Sequence, residues 1–306
     1  MQENNFTNVQ IYPNKKRIEL NDKATKILFN LTPDSYFRMI QNNSKKGIIE
    51  KKNHKKHGKI RSTFRIQNEN GFTQIIELSE FDRAVFGVCI SEWEEGNRHT
   101  TPAIILRGLT GKVNHKAGDA KPSINQLTAI LQSLDKMMVT TYDPDIIDAF
   151  EKLDYGDSDS LEKIKKAPLL PCKRVDKTIN GQKADIIYFT DESPLLKIAK
   201  LKGQILTYDS ALLDIPNQQN TPLIITLKNY VLRRILEIIK HPQMAHALTF
   251  DDIFTKCRIE GKHQEIKRRA RDYIEEFFKH LQSKGVIKSF VLEKKGNKFH
   301  KISFTF

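Results

Sequence analysis

Apolar side chains recur at helical spacing in two regions of the chain, and each region closes on residues that alternate in the period of a strand. The first region begins at Ser79, an N-cap with Asp82 as a first-turn acid, followed by Phe81, Val85, Val88, Cys89 and Trp93. Gly96 and Asn97 break that helix. Thr100 or Thr101 caps the next one, with Pro102 in its first turn, and residues 103–109 run on to Gly111. Ser123 caps a third helix, expected to turn Ile124, Leu127, Ile130, Leu131, Leu134 and Met137 inward. Residues 139–142 read as a strand. Residues 174–179 and 182–189 read as a hairpin closed by Asn180 and Gly181, the strongest short-range hairpin signal. Residues 204–208 offer one more strand.

From Thr226 the order begins again. A helix carries Leu227, Tyr230, Val231, Ile235, Leu236, Ile238 and Ile239 and ends near His241 and Pro242. A second helix starts at Thr249, with Asp252 as its capping-box partner, and runs to Cys257. The third, 264–284, places Ile266, Ala270, Tyr273, Ile274, Phe277, Phe278 and Leu281 on one stripe. Gln264, Arg268, Arg271 and Lys279 fall opposite, with Lys267 and Arg269 on the borders. Gly285 stands where a left-handed C-cap is wanted. Residues 286–292 and 299–306 read as strands around a lysine-rich connection, 293–298. In the second of them His300, Ile302, Phe304 and Phe306 alternate with Lys301, Ser303 and Thr305. The fold class is therefore α+β, with two helix–helix–helix–hairpin units at 60–205 and 206–306 behind an extension, 1–59. A chain of 306 residues accommodates two such domains.

The extension is less informative. Leu31, Thr32, Pro33, Asp34 and Ser35 resemble a capped helix start. Residues 45–59 form a lysine and histidine cluster expected to be a mobile loop or arm, and 60–66 and 72–78 look like a strand pair.

Charge localises the chemistry. Against a net charge of +14, residues 258–306 hold 13 basic and 6 acidic side chains, and residues 45–61 hold 8 and 1. Each segment carries +7, so the rest of the chain is neutral overall. Such a field attracts polyanions, without selecting DNA over RNA or an anionic membrane. No apolar run approaches the ~20 residues that span a bilayer. The N-terminus lacks the basic-then-apolar order of a signal peptide. Cys89, Cys172 and Cys257 are far apart, odd in number and without CxxC spacing, and are expected as reduced core thiols of a cytoplasmic protein.

Catalytic readings are weak. Asp143-Pro144-Asp145 fits a helix start better than a metal site. Asp251 and Asp252 suit the positive end of a helix dipole, and Asp157 and Asp159 lie in a polar loop. His54 and His57 sit among lysines that repel a cation, and Pro242 separates His241 from His246. Gly108-Leu109-Thr110-Gly111-Lys112 is too short for a phosphate-binding loop. The expectation is a binder, not an enzyme, with no cofactor and no metal.

A basic helix followed by a basic hairpin is the order of a winged helix. Phe81-Asp82-Arg83-Ala84-Val85, the run from Thr100-Thr101-Pro102 through Leu106-Arg107-Gly108-Leu109-Thr110-Gly111, and Ser133-Leu134-Asp135-Lys136-Met137 add to this. So does the stretch Thr221-Pro222-Leu223-Ile224-Ile225-Thr226-Leu227-Lys228-Asn229-Tyr230-Val231-Leu232-Arg233-Arg234-Ile235. Over about 75–306 these motifs resemble the tandem winged-helix replication initiator proteins of plasmids and related mobile elements in low-GC Gram-positive bacteria. The resemblance implies binding of repeated double-stranded DNA sites at an origin, help in opening the duplex, and recruitment of a host initiator and replicative helicase; monomer and homodimer both stay open. By role it assigns Lys267, Arg268 and Arg271 to the C-terminal reading helix and Lys294, Lys295 and Lys298 to its wing. Asn125, Gln126, Gln132 and Lys136 fall on the N-terminal reading helix. Lys112, Lys121, Lys262 and Lys279 complete the expected DNA-binding set. The bland alternative for Arg268 and Arg271 is pairing with Asp272, Glu275 and Glu276 on the helix surface. Competing functions are a winged-helix transcriptional regulator and an assembly or primosome-loading protein whose units bind other proteins.

Overall fold

The computed structural model describes residues 16–20, 49–55, 58–65, 78–112, 121–139, 141–142, 168–179, 182–193, 196, 200, 205–216, 218–296 and 298–306. Within them the chain is α+β, with small antiparallel sheets set against helices. The possible helix start at 31–35 and the loop carrying Asp157 and Asp159 lie outside the described residues, as does 72–77.

Three strands come from the N-terminal part: β1 (Lys16–Leu20), β2 (Ile49–Lys55) and β3 (Gly58–Arg65). The lysine cluster is thus not a loop over 49–55. β2 and β3 pair antiparallel, with Ile49 opposite Phe64 and Lys55 opposite Gly58. The expectation failed because backbone pairing sets a hairpin ladder, whereas an apolar period appears only where one face is buried.

The first helical unit follows. In α1 (Glu80–Glu94) the Ser79 Oγ accepts from the Asp82 N–H at 3.2 Å, while the Ser79 N–H donates to the Asp82 carboxylate at 2.6 Å. This is a full capping box, and Gly96 ends the helix at φ +87°. A two-residue strand, β4 (His99–Thr100), leads into α2 (Pro102–Thr110). Its cap is Thr101, whose Oγ1 accepts from the Ile104 N–H at 3.4 Å. α3 (Ile124–Val139) is capped by Ser123, whose Oγ accepts from the Gln126 N–H at 3.3 Å. Ile130, Leu134 and Met137 are fully buried, and Leu127 and Leu131 half-buried. Ile124, expected inward, is 75% exposed, because the first turn of α3 projects past the packed body with Lys121, Ser123 and Asn125 also exposed.

β5 (Thr141–Tyr142) pairs with β3, so strand 60–66 finds its described partners in β2 and β5. The hairpin β6 (Cys172–Ile179) and β7 (Gln182–Phe189) has Ile179 opposite Gln182, the register of a two-residue connection. β4 adds to β7, giving the order β6-β7-β4. β8 (Ile205–Asp209) pairs antiparallel with β1 and runs into a single 3-10 turn, Ser210–Leu213.

The second unit repeats the order. α4 (Pro222–Lys240) starts four residues before Thr226, at the same Thr-Pro signature as α2: the Thr221 Oγ1 accepts from the Ile224 N–H at 3.3 Å. After it come β9 (Ala247–Thr249), α5 (Phe250–Lys256), α6 (Gln264–Ser283), β10 (Ser289–Lys295) and β11 (Lys298–Thr305). The sheet order is β10-β11-β9, again with the second hairpin strand in the centre and the short strand before the second helix on its far side. Thr249 caps α5 as expected, accepting from the Asp252 N–H at 3.2 Å. The Asp252 carboxylate does not close the box. It accepts from the Tyr230 hydroxyl at 2.6 Å instead, pinning α5 to α4. Burial, with the Asp252 charge and this bond added to it, pushes the Tyr230 phenol up. α6 ends in a Schellman motif: the Gly285 N–H donates to the Gln282 carbonyl and the Val286 N–H to Leu281, with Gly285 at φ +72°.

Each unit has its own core, yet the two are joined by packed contacts. Ile225 of α4 is buried in the first core. The Arg233 guanidinium, 3% exposed, lies 3.1 Å from Glu80 of α1 and 3.0 Å from Glu237. The Asn229 side-chain amide donates to the Leu109 carbonyl at 3.1 Å. At Gly111, φ +75°, a Cβ would lie 2.3 Å from the Ser210 carbonyl oxygen, so the connecting turn closes directly on the end of α2.

Candidate nucleic-acid interface

α6 is oriented by its buried stripe. Ala270, Ile274, Phe277, Phe278 and Leu281 pack into the second core, which leaves Arg268, Arg269 and Lys279 facing solvent at 60%, 67% and 64% exposure. Burying those five apolar side chains stabilises the helix far more than any surface pair can. The outward cations do not all have the same surroundings. Arg268 donates to both oxygens of Glu265, at 2.8 and 3.0 Å, and Arg269 donates to the same carboxylate at 3.0 Å. These bonds hold the Glu265 carboxyl down at about 2. Arg268 also stands 3.9 Å from Asp272, and Lys279 pairs with Glu275 at 2.7 Å. Surface pairing therefore accounts for Arg268 and Lys279 in the free protein. Such exposed pairs are weak, because water and salt screen them, so a phosphate can displace the carboxylate.

Arg271 differs. Among the described residues it meets no carboxylate; its guanidinium carbon lies 5.7 Å from the centre of the Phe299 ring on β11. The Lys294 Nζ of β10 lies 4.7 Å from the same ring. Strict alternation would put Phe299 on the outer face with Lys301. A register shift between Glu293 and Lys294 skips His300, placing Lys294 opposite Phe299. Glu293 and Lys301 form an outer pair at 3.0 Å, and the Phe299 ring turns inward, edge-on to Phe250.

The hairpin itself runs further than the sequence indicates. Lys295 pairs with Lys298, so of the six-residue connection only Gly296 and Asn297 remain between the strands. Lys295 and Lys298, opposed across the ladder, repel each other. Among the described residues neither they nor Lys262 and Lys267 form an ion pair with a carboxylate. A polyanion relieves that repulsion.

The first unit presents less charge. On α3, Asn125 and Gln132 are exposed and carry no side-chain bond among the described residues, and Lys121 is exposed before the first turn. Two other expected DNA contacts have structural work. Gln126 accepts from the Ser123 N–H at 2.8 Å and donates to the Asn220 carbonyl. Lys136 is ion-paired at 3.2 Å with Asp82, a carboxylate 1% exposed. Both are engaged at the half-buried edge of the helix, because a capping box and a buried carboxylate each claim a partner at that spacing. Lys112, half-buried, follows the Gly111 C-cap of α2. Asp135 on α3 lies 3.9 Å from Arg174 of β6, tying the hairpin base to the helix.

Among the described residues no group of His, Cys, Asp and Glu comes together that could hold a metal ion. Asp143 and Asp145 lie outside those residues. Asp251 and Asp252 occupy the first turn of α5, and the His246 ring packs on Phe306 with centroids 4.8 Å apart. Cys89 and Cys257 are buried free thiols; burial pushes the Cys172 thiol up to about 12. No described helix is long and apolar enough to cross a membrane. Comparison with protein-family models, with curated proteins and with solved structures found no match for this chain.

Proposed function

We propose that the chain is a sequence-specific, double-stranded DNA-binding replication initiator made of two tandem winged-helix units, 60–205 and 206–306. It binds repeated sites at a plasmid or mobile-element origin and recruits a host initiator and replicative helicase. The observation that carries the reading is the repetition of helix, short strand, helix, helix and hairpin within one chain, with the same sheet order each time. In the second repeat the third helix and hairpin bear the uncompensated lysines, where phosphates are gripped. α6 enters one major groove and its hairpin tracks the adjoining backbone. α3 enters a neighbouring groove, where Asn125 and Gln132 suit adenine edges. The charged unit supplies most of the affinity, and the neutral one adds discrimination.

An origin-only plasmid separates this reading from its nearest rival. An initiator supplied in trans supports replication of that plasmid. A transcriptional regulator of the same architecture binds the repeats and leaves the plasmid unreplicated.

A further inference from the structure

We infer that Phe299 is a positioning residue that holds Arg271 of α6 and Lys294 of β10 as one clamp for the phosphodiester backbone of duplex DNA. This deepens the proposed function and rests on it. A reading helix and a wing are separate elements, and long cationic side chains on each would ordinarily sample many rotamers. Here the face of one aromatic ring is shared by a cation from each element, at 5.7 and 4.7 Å. Both distances lie within the ~6 Å over which a ring quadrupole attracts a cation. The β-bulge at Glu293 and Lys294 sets this arrangement, since it turns Phe299 from the outer face of the hairpin toward the helix. The ring is anchored edge-on against Phe250 yet stays 37% exposed, so its cations remain at the surface. Arg268, Arg269 and Lys279 must leave carboxylates to meet a phosphate. Arg271 and Lys294 face no such competitor among the described residues and are already aimed.

The test is the salt dependence of binding by the full chain to a duplex enriched from a random pool. Phe299→Tyr keeps the π face and retains wild-type affinity and salt slope. Phe299→Leu keeps apolar packing on Phe250 but loses that face. It weakens binding about tenfold and flattens the slope by about 1–2 units, at ~0.9 per phosphate contact, although no charge has been removed. In an Arg271→Ala, Lys294→Ala background, Phe299→Leu has no further effect on the slope, a readout that a purely structural role does not reproduce. A Phe299→Leu slope equal to wild type, with or without lost affinity, overturns the clamp and leaves DNA binding intact. Failure of the wild-type chain to enrich or bind any duplex overturns the DNA reading itself, and the clamp with it.

Discussion

At the junction of the two units sits an ammonium group with almost no access to water. Lys228 is 3% exposed, and its Nζ donates to the Leu213 carbonyl and the Asn220 side-chain oxygen, each at 2.7 Å. Burial lowers its pKa from 10.5 to about 8. The unfolded chain therefore binds more protons than the native one between these values, and stability rises with pH across that window. Urea unfolding from about pH 8 to 10 is expected to show this increase, and Lys228→Met to remove it. Arg233 makes the opposite case. Its guanidinium compensates Glu80 and Glu237, both nearly buried. Arg233→Ala leaves the buried Glu80 carboxylate without its cation, and Glu237 with Arg234 alone, and is expected to cost ~3–5 kcal/mol in unfolding free energy. Arg234→Ala, at a more exposed pair with Glu237, should cost under ~1 kcal/mol.

The helices were legible where a capping residue and an apolar stripe agree. Ser79, Thr249 and the α6 stripe mark their elements directly, and Thr221-Pro222 moves a start that the apolar pattern alone placed at Thr226. Gly285 is a clean case at the end of α6. A Cβ there meets nothing within 4 Å, so only the backbone, at φ +72°, resists substitution. Gly285→Ala should lower stability by about 1 kcal/mol without disturbing the core, as thermal unfolding will report. Other features had no signal to read. β4 and β9 span two and three residues, too short for a period. The skipped residue at His300 flips Phe299 against its alternation, and only pairing reveals it. Gln126 and Lys136 looked like outward polar positions on α3 because their partners, Asn220 and Asp82, are remote in sequence. Of the candidate interface, the α6 and hairpin lysines were therefore readable, and the aromatic contact between them was not.

In the whole molecule the two repeats do not behave as beads on a string. Tandem domains move relative to one another unless their interface is extensive, and this one is held by a buried ion pair, the Asn229 amide, the Gln126 tie and a turn closed onto Gly111. On the proposed function, α3 and α6 carried on such a frame would meet DNA at one spacing. Inserting about five base pairs, half a helical turn, between the two contacted boxes should weaken binding at least tenfold. Hydroxyl-radical footprinting of the full chain on a duplex enriched from a random pool tests the central claim most directly. Two protected patches about one helical turn, ~10 base pairs, apart on the same face of the duplex are the predicted result, the stronger one weakening in Arg271→Ala. A single protected patch, or two whose separation varies freely among enriched sites, would contradict the two-unit grip on DNA.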